Sequence, residues 1–188
     1  MKKSIFGFLA IFLISFSIYA QTDMQPAVKM EKDHSTGEIK LNFLNTIILG
    51  SIELGYEQFL SREQSIGVEL HLNDRFGYNS QKGNRDFDAS SVLVSYNFYF
   101  DGNQDAKLYL FPFFKYRFGE FTEAIDGITT VTNLNSGYLG LGAGYKWVFN
   151  DKFAFGPYAN IARGFSSEVN DRFSAVEFKA GFSVGFRF

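Results

Sequence analysis

Between Glu38 and the C-terminus, apolar and polar residues alternate in run after run. Every charge inside those runs falls on the parity opposite the large apolar side chains. Period-two alternation is the pattern of a β-strand with two unlike faces. Eight such runs can be read. EIKLNFLN carries Ile39, Leu41 and Phe43 on one side, and SIELGYEQFL carries Ile52, Leu54 and Tyr56. SIGVELHL aligns Ile66, Val68, Leu70 and Leu72, and SVLVSYNFYF aligns Val92, Val94, Tyr96, Phe98 and Phe100. AKLYLFPFFKYRF aligns Leu108, Leu110, Phe114, Tyr116 and Phe118, and GYLGLGAGYKWVF aligns Leu139, Leu141, Ala143, Tyr145, Trp147 and Phe149. FAFGPYANI gives Phe153, Phe155 and Ile161, and the final run gives Phe178, Ala180, Phe182, Val184, Phe186 and Phe188.

The charges decide what the two faces meet. Within the runs the acids are Glu38, Glu53, Glu57, Glu69 and Glu177, and the bases are Lys40, Lys107, Lys115, Arg117, Lys146, Lys179 and Arg187. Glycine shares their parity at Gly55, Gly67, Gly140, Gly142, Gly144, Gly181 and Gly185. Eight closed strands leave an interior just wide enough for side chains to fill. Glycines and a few long charged residues fit there, whereas rows of Phe, Trp, Tyr and Leu do not. The bulky face therefore points outward, against lipid, where a Lys or Arg at mid-bilayer would cost about 2–4 kcal/mol. The predicted fold is an all-β, eight-stranded, antiparallel, up-and-down transmembrane barrel over residues 38–188. Buried charges are costly unless paired. Glu53, Glu57, Glu69, Lys115, Arg117, Lys146, Glu177, Lys179 and Arg187 are accordingly expected to form a structural network in the lumen.

The connections follow the same plan. SREQ (61–64), DGNQD (101–105) and NDK (150–152) read as short turns. Residues 73–88, 119–136 and 163–173 read as long polar loops, and the first connection, near Gly50, is unusually short. Membrane barrels alternate short periplasmic turns with longer outer loops. Aromatics gather beside the short turns at Phe98, Phe100, Trp147, Phe149, Phe153, Phe155, Phe186 and Phe188, as in an interfacial girdle. Pro112 and Pro157 fall inside runs, where each removes a ladder hydrogen bond, so a bulge or local break is expected at each. Asn45 interrupts the first run.

The N-terminus MKKSIFGFLAIFLISFSIYAQ has a basic start, a short apolar stretch and Ala20 before Gln21, the layout of a cleaved signal peptide over 1–20. Its loss would take the formal charge from −2 to −4, because Lys2 and Lys3 leave with it. Residues 21–37 read as a flexible periplasmic lead-in. The chain has no Cys, which excludes a disulfide framework or thiolate metal site. No basic stripe suggests nucleic acid.

IKLNFLNTIILGSIELGYEQFL (39–60) and the terminal GFSVGFRF (181–188) resemble small Gram-negative outer-membrane β-barrels. These include the OmpA/OmpX-type eight-stranded group and, more closely, an uncharacterised outer-membrane family. The resemblance implies an outer-membrane location in the lipid bilayer. It also implies Phe188 as the terminal aromatic read by the outer-membrane assembly machinery. It implies no agreed activity.

No catalytic, cofactor or metal site is expected. GLGAG (140–144) lacks the G-x-G-x-x-G spacing and lies in a strand, so glycine packing in the lumen is the better account. His34 and His71 are too few for a metal cluster. A lipid-modifying enzyme would need His71 with a nearby Ser and carboxylate, but its parity turns it inward. The expected role is structural or surface-interacting. Phe76, Tyr78, Phe87, Phe121 and Phe165 in the loops are read equally as contacts for an extracellular partner or as markers of the outer interface. The alternatives are a narrow channel for small or hydrophobic solutes and the lipid-modifying enzyme.

Overall fold

The computed structural model describes residues 36–74, 85–100, 106–125 and 128–188. The predicted signal peptide, nearly all of the lead-in, the turn 101–105 and most of the loop 73–88, with Phe76 and Tyr78, lie outside them. The described elements run β1 (Gly37–Asn42), α1 (Phe43–Leu49), β2 (Ile52–Phe59), β3 (Gln64–Leu72), β4 (Arg85–Phe100) and β5 (Ala106–Ile125). There follow β6 (Ile128–Asn133), β7 (Ser136–Phe149), β8 (Phe153–Gly164), α2 (Ser167–Arg172) and β9 (Val176–Arg187).

Eight of these strands close into a wall. Neighbours are antiparallel throughout, in the order β1-β2-β3-β4-β5-β7-β8-β9, and β9 pairs back onto β1. A path along paired residues leaves β9 at Arg187 and crosses Glu38, Glu57, Gly67, Ser95, Phe113, Gly140 and Ala162. It re-enters β9 at Glu177, ten residues from its start. That displacement is the shear of the barrel. With a rise of about 3.3 Å per residue and about 4.8 Å between strands, it tilts the strands by about 40°.

The bulky rows face out and the charges face in. Leu54, Val94, Phe114, Leu139, Leu141 and Phe178 are all exposed, whereas Glu57, Ser95, Lys115, Arg117 and Glu177 are buried. The aromatics beside the short turns are exposed as well, including Phe100, Phe149, Phe153 and Phe188.

The lumen differs from expectation in one respect, because it also holds aromatic rings. Tyr99, Tyr109, Phe111, Phe113 and Tyr138 are buried. The glycine row of β7 makes room for three of them. A Cβ at Gly140, Gly142 or Gly144 would overlap the rings of Phe113, Phe111 and Tyr109 respectively. Ring centroids follow one another at 5.4 Å (Tyr99–Tyr109), 5.5 Å (Tyr109–Phe111) and 5.9 Å (Phe111–Phe113). Flat rings over bare backbone pack a narrow interior that bulk on both sides would overfill.

The prolines break the ladder without a bulge. Pro112 pairs with Leu141 of β7, and Pro157 with Phe182 of β9. On the other side, the β4–β5 pairing skips from Ser95↔Phe113 to Phe98↔Leu110. The β7–β8 pairing likewise skips from Gly144↔Tyr158 to Trp147↔Phe155. The register is the same before and after each gap, so no extra residue is inserted.

Three predicted connections carry more structure than expected. The first run ends at Asn42, and Phe43 begins α1 rather than continuing the strand. Asn42 caps that helix through its side chain, and Gly50 ends it at φ 64°. The predicted loop 119–136 is largely a hairpin, with β5 pairing β6 from Glu120↔Asn133 to Ile125↔Ile128. β5 pairs β6 and β7 in one register, interrupted where Gly119 adopts φ 143° opposite Leu134 and Asn135. The predicted loop 163–173 contains α2. The 150–152 turn is as expected: Asn150 and Asp151 take φ 50° and 55°, the successive positive values of a type I′ hairpin turn.

Strand extension also brings charges onto the outward face at the long-loop end. Asp86 and Asp88 of β4, Glu120 of β5 and Arg163 of β8 are exposed there, beyond or at the edge of the apolar rows.

Candidate functional site

The interior charges form a continuous network, with one centre near each end of the barrel. At the short-turn end Lys146 Nζ lies 2.9 Å from Glu38 and 3.0 Å from Glu57, and Arg187 Nε lies 2.8 Å from Glu38. Glu57 also accepts hydrogen bonds from Ser65 at 2.5 Å and from the Tyr99 hydroxyl. The Lys146 ammonium stands 5.3 Å from the Tyr99 ring centroid and 5.4 Å from that of Tyr109, within cation–π range.

At the long-loop end the hub is Asp74. Arg117 donates to it from Nε at 3.1 Å and Nη2 at 3.0 Å. Lys179 lies 2.9 Å from Asp74 and Lys115 3.4 Å. Glu177 pairs with Lys115 at 2.6 Å and with Arg117 at 2.9 Å. Arg117 Nη1 donates to the Tyr138 hydroxyl at 2.9 Å, so each of the three guanidinium nitrogens donates a hydrogen bond. Between the two centres lie Glu69, paired with Lys40 at 2.7 Å and with His71 at 3.0 Å, and Glu53, paired with Lys179 at 2.8 Å.

All nine residues expected in the lumen are brought into this one network. Glu38 and Lys40 join them, as their parity requires. The sequence reading missed Asp74, which lies beyond the alternation just after β3. Its signal was a deficit: the runs held five acids against seven bases. With Asp74, six carboxylates face six cations among the described lumen residues, His71 aside. Lys107 lies at the rim, donating to the Arg62 carbonyl at 3.0 Å. Among the described residues, the buried side-chain polar atom left without a partner is Asn170 Oδ1 in α2, outside the lumen. A satisfied, electroneutral set is the condition under which buried charges persist.

One lumen cavity, lined by Lys40, Glu69, His71, Asn97, Tyr109 and Asn160 among others, has about 20 Å³ for water-sized occupants. That suffices for about one or two water molecules. His71 is buried, turned to Glu69 and Lys179 rather than to the apolar surface.

The long-loop end is capped. Phe87, Phe121 and Phe173 meet with ring centroids 4.4 Å (Phe87–Phe121), 5.9 Å (Phe87–Phe173) and 5.3 Å (Phe121–Phe173) apart. Leu134 and Val169 are buried beside them. Glu123 binds both Arg85, at 2.6 Å, and Arg172 of α2. Phe87 and Phe121, read from the sequence as exposed loop aromatics, are therefore core residues of this cap, while Phe165 is exposed. Phe188 is exposed at the opposite end. Its carbonyl accepts from the Thr36 and Gly37 amides, and its amide donates to the Gly37 carbonyl.

No family model matches the chain, and no curated protein matches it in sequence. Among solved structures, it is similar to the N-terminal β-barrel domain of Pseudomonas aeruginosa OprF. The TM-score is 0.55 at 14% identity, over 81% of this chain and 95% of that one. Neisserial surface protein A matches at TM-score 0.46 and 15% identity over 80% and 91% of the two chains. Ail of Yersinia pestis matches at 0.47 and 14% over 81% and 93%. The chain has the closed eight-stranded antiparallel fold of the outer-membrane β-barrels.

Proposed function

We propose that this protein is an integral outer-membrane barrel whose role is structural or surface-interacting rather than catalytic or conductive. One observation carries the reading: an uncharged apolar belt surrounds a lumen filled by a neutral, hydrogen-bonded ion network. Only hydrocarbon makes such a belt favourable as an exterior. The short-turn end, with its aromatic girdle, is the periplasmic one, and the capped end faces outward. Ile128, Val131 and Phe165 stand exposed on that end and offer a surface to an extracellular partner. The small size of the lumen cavity and the buried position of His71 argue for a plugged, non-enzymatic barrel. Phe188, exposed at the end of the last strand, is the residue assigned to recognition by the assembly machinery.

The test is gel mobility of the protein extracted from outer membranes, with and without heating. A closed barrel is expected in the outer-membrane fraction, running faster unheated than heated. Recovery as a soluble monomer without detergent, or a mobility indifferent to heat, overturns the proposal.

A further inference from the structure

The wall has a seam where a strand would be expected and a helix stands instead. β8 pairs with β9 from Val176 to Phe186, but β1 pairs with β9 only from Ser183 to Arg187. On the β1 side, no described strand pairs with Val176–Phe182. An uncovered strand edge in hydrocarbon leaves unpaired N–H and C=O groups, which bilayers do not tolerate. The element packed against this edge, and against β2, is α1.

The two faces of α1 differ sharply. Its inner side is fixed on Glu53 of β2. Asn45 Nδ2 donates to Glu53 at 3.1 Å, the capping Asn42 at 2.6 Å, and Ser51, just past the helix, at 3.4 Å. The same carboxylate holds Lys179 of β9 at 2.8 Å and accepts from Tyr158 of β8 at 3.0 Å. Glu53 thus ties the helix to both sides of the seam. The outer side presents Phe43, Ile47 and Ile48, exposed by 51%, 66% and 60%, and the helix carries no charge. These residues continue the apolar belt through Ile52 and Leu54 on one side and Val176 and Phe178 on the other. The lumen cavity lies immediately behind, lined by Asn42, Glu53 and Ser183 among others.

We infer that α1 is a membrane-embedded lateral lid, its outer face resting on lipid acyl chains and its inner face latched to Glu53, closing the seam between β2 and β9. The inference rests on the outer-membrane reading. It goes further in assigning lipid contact to a segment that position alone would place in a surface loop. Strand seams are held by backbone ladders, whereas this one is held by side chains around one carboxylate, which makes it the part of the wall able to open sideways.

The protein has a single tryptophan, Trp147, exposed in the belt near the short turns. Ile47→Trp in a Trp147→Phe background moves that reporter to α1. In vesicles whose acyl chains carry bromine, the indole of I47W is expected to lose most of its fluorescence while remaining shielded from aqueous iodide. Quenching by iodide without quenching by bromolipid would put the helix in water. Resistance to both would put it against protein, a second copy or a partner. Either result overturns the inference. Native Trp147 separates the two levels: if it too escapes bromolipid, the membrane reading itself has failed. The latch is tested with Asn45→Ala, which leaves the Glu53–Lys179 pair intact. Amide exchange across 43–49 should rise about tenfold while β8 stays protected, and unchanged exchange refutes the latch.

Discussion

Arg117→Ala is expected to destabilise the barrel by about 3 kcal/mol in urea unfolding from lipid vesicles. That is the lower end of the about 3–5 kcal/mol that breaking a buried ion pair costs. Arg117 is fully buried and reaches Asp74, Glu177 and Tyr138. Its removal leaves six lumen carboxylates facing five cations, one negative charge in excess, in a place water does not reach. The loss stays near the lower end because Lys115 and Lys179 still approach Asp74, at 3.4 and 2.9 Å, and Lys115 still approaches Glu177, at 2.6 Å. Lys107→Ala, at the rim, should change stability by no more than about 0.5 kcal/mol. Equal effects of the two substitutions would mean that the lumen is solvated and the network incidental.

The opposite face gives the second large effect. Leu141 is exposed near the middle of β7, between Pro112 of β5 and Ile161 of β8. Leu141→Arg should cost about 2–4 kcal/mol in the same unfolding measurement, because the guanidinium would stand at mid-bilayer. The native Arg163 gives the depth scale. It lies on the same outward face but at the end of β8, next to Gly164, where such a charge costs about 0–1 kcal/mol. If Leu141→Arg is neutral, the belt does not contact hydrocarbon.

The two substitutions mark what the sequence made legible. Alternation places Leu141 outside and Lys115 and Arg117 inside with no reference to structure, because side chains on a strand alternate by geometry. The limits of that signal are equally physical. Asp74 escaped because it follows Asn73, whose φ of 56° takes the chain out of β3, so parity no longer applies. α1 escaped because Leu44, Ile47 and Ile48 extend an apolar run whose period changes at the Asn42 cap. A single seven-residue helix is too short to display a period of its own. The hairpin of β5 and β6 was hidden by its polarity, although ITTVTN is rich in β-branched residues, which favour strands. The lumen aromatics are not legible from side-chain volume, because flat rings fit a narrow interior by lying over Gly140, Gly142 and Gly144. Pro112 and Pro157 break the ladder as their missing N–H dictates, but the register survives because each still pairs on its other side.

The central claim is that neighbouring residues of one strand face opposite media. Val92, Leu93 and Val94 of β4 test it without any substitution, since Leu93 is 3% exposed and Val92 and Val94 are 38% and 46% exposed. The direct measurement is methyl NMR of the labelled protein in lipid nanodiscs, read for magnetisation transfer from acyl-chain protons. Cross-peaks to the methyls of Val92 and Val94 with none to Leu93 are the predicted result. Cross-peaks to Leu93 with none to its two neighbours would contradict the account.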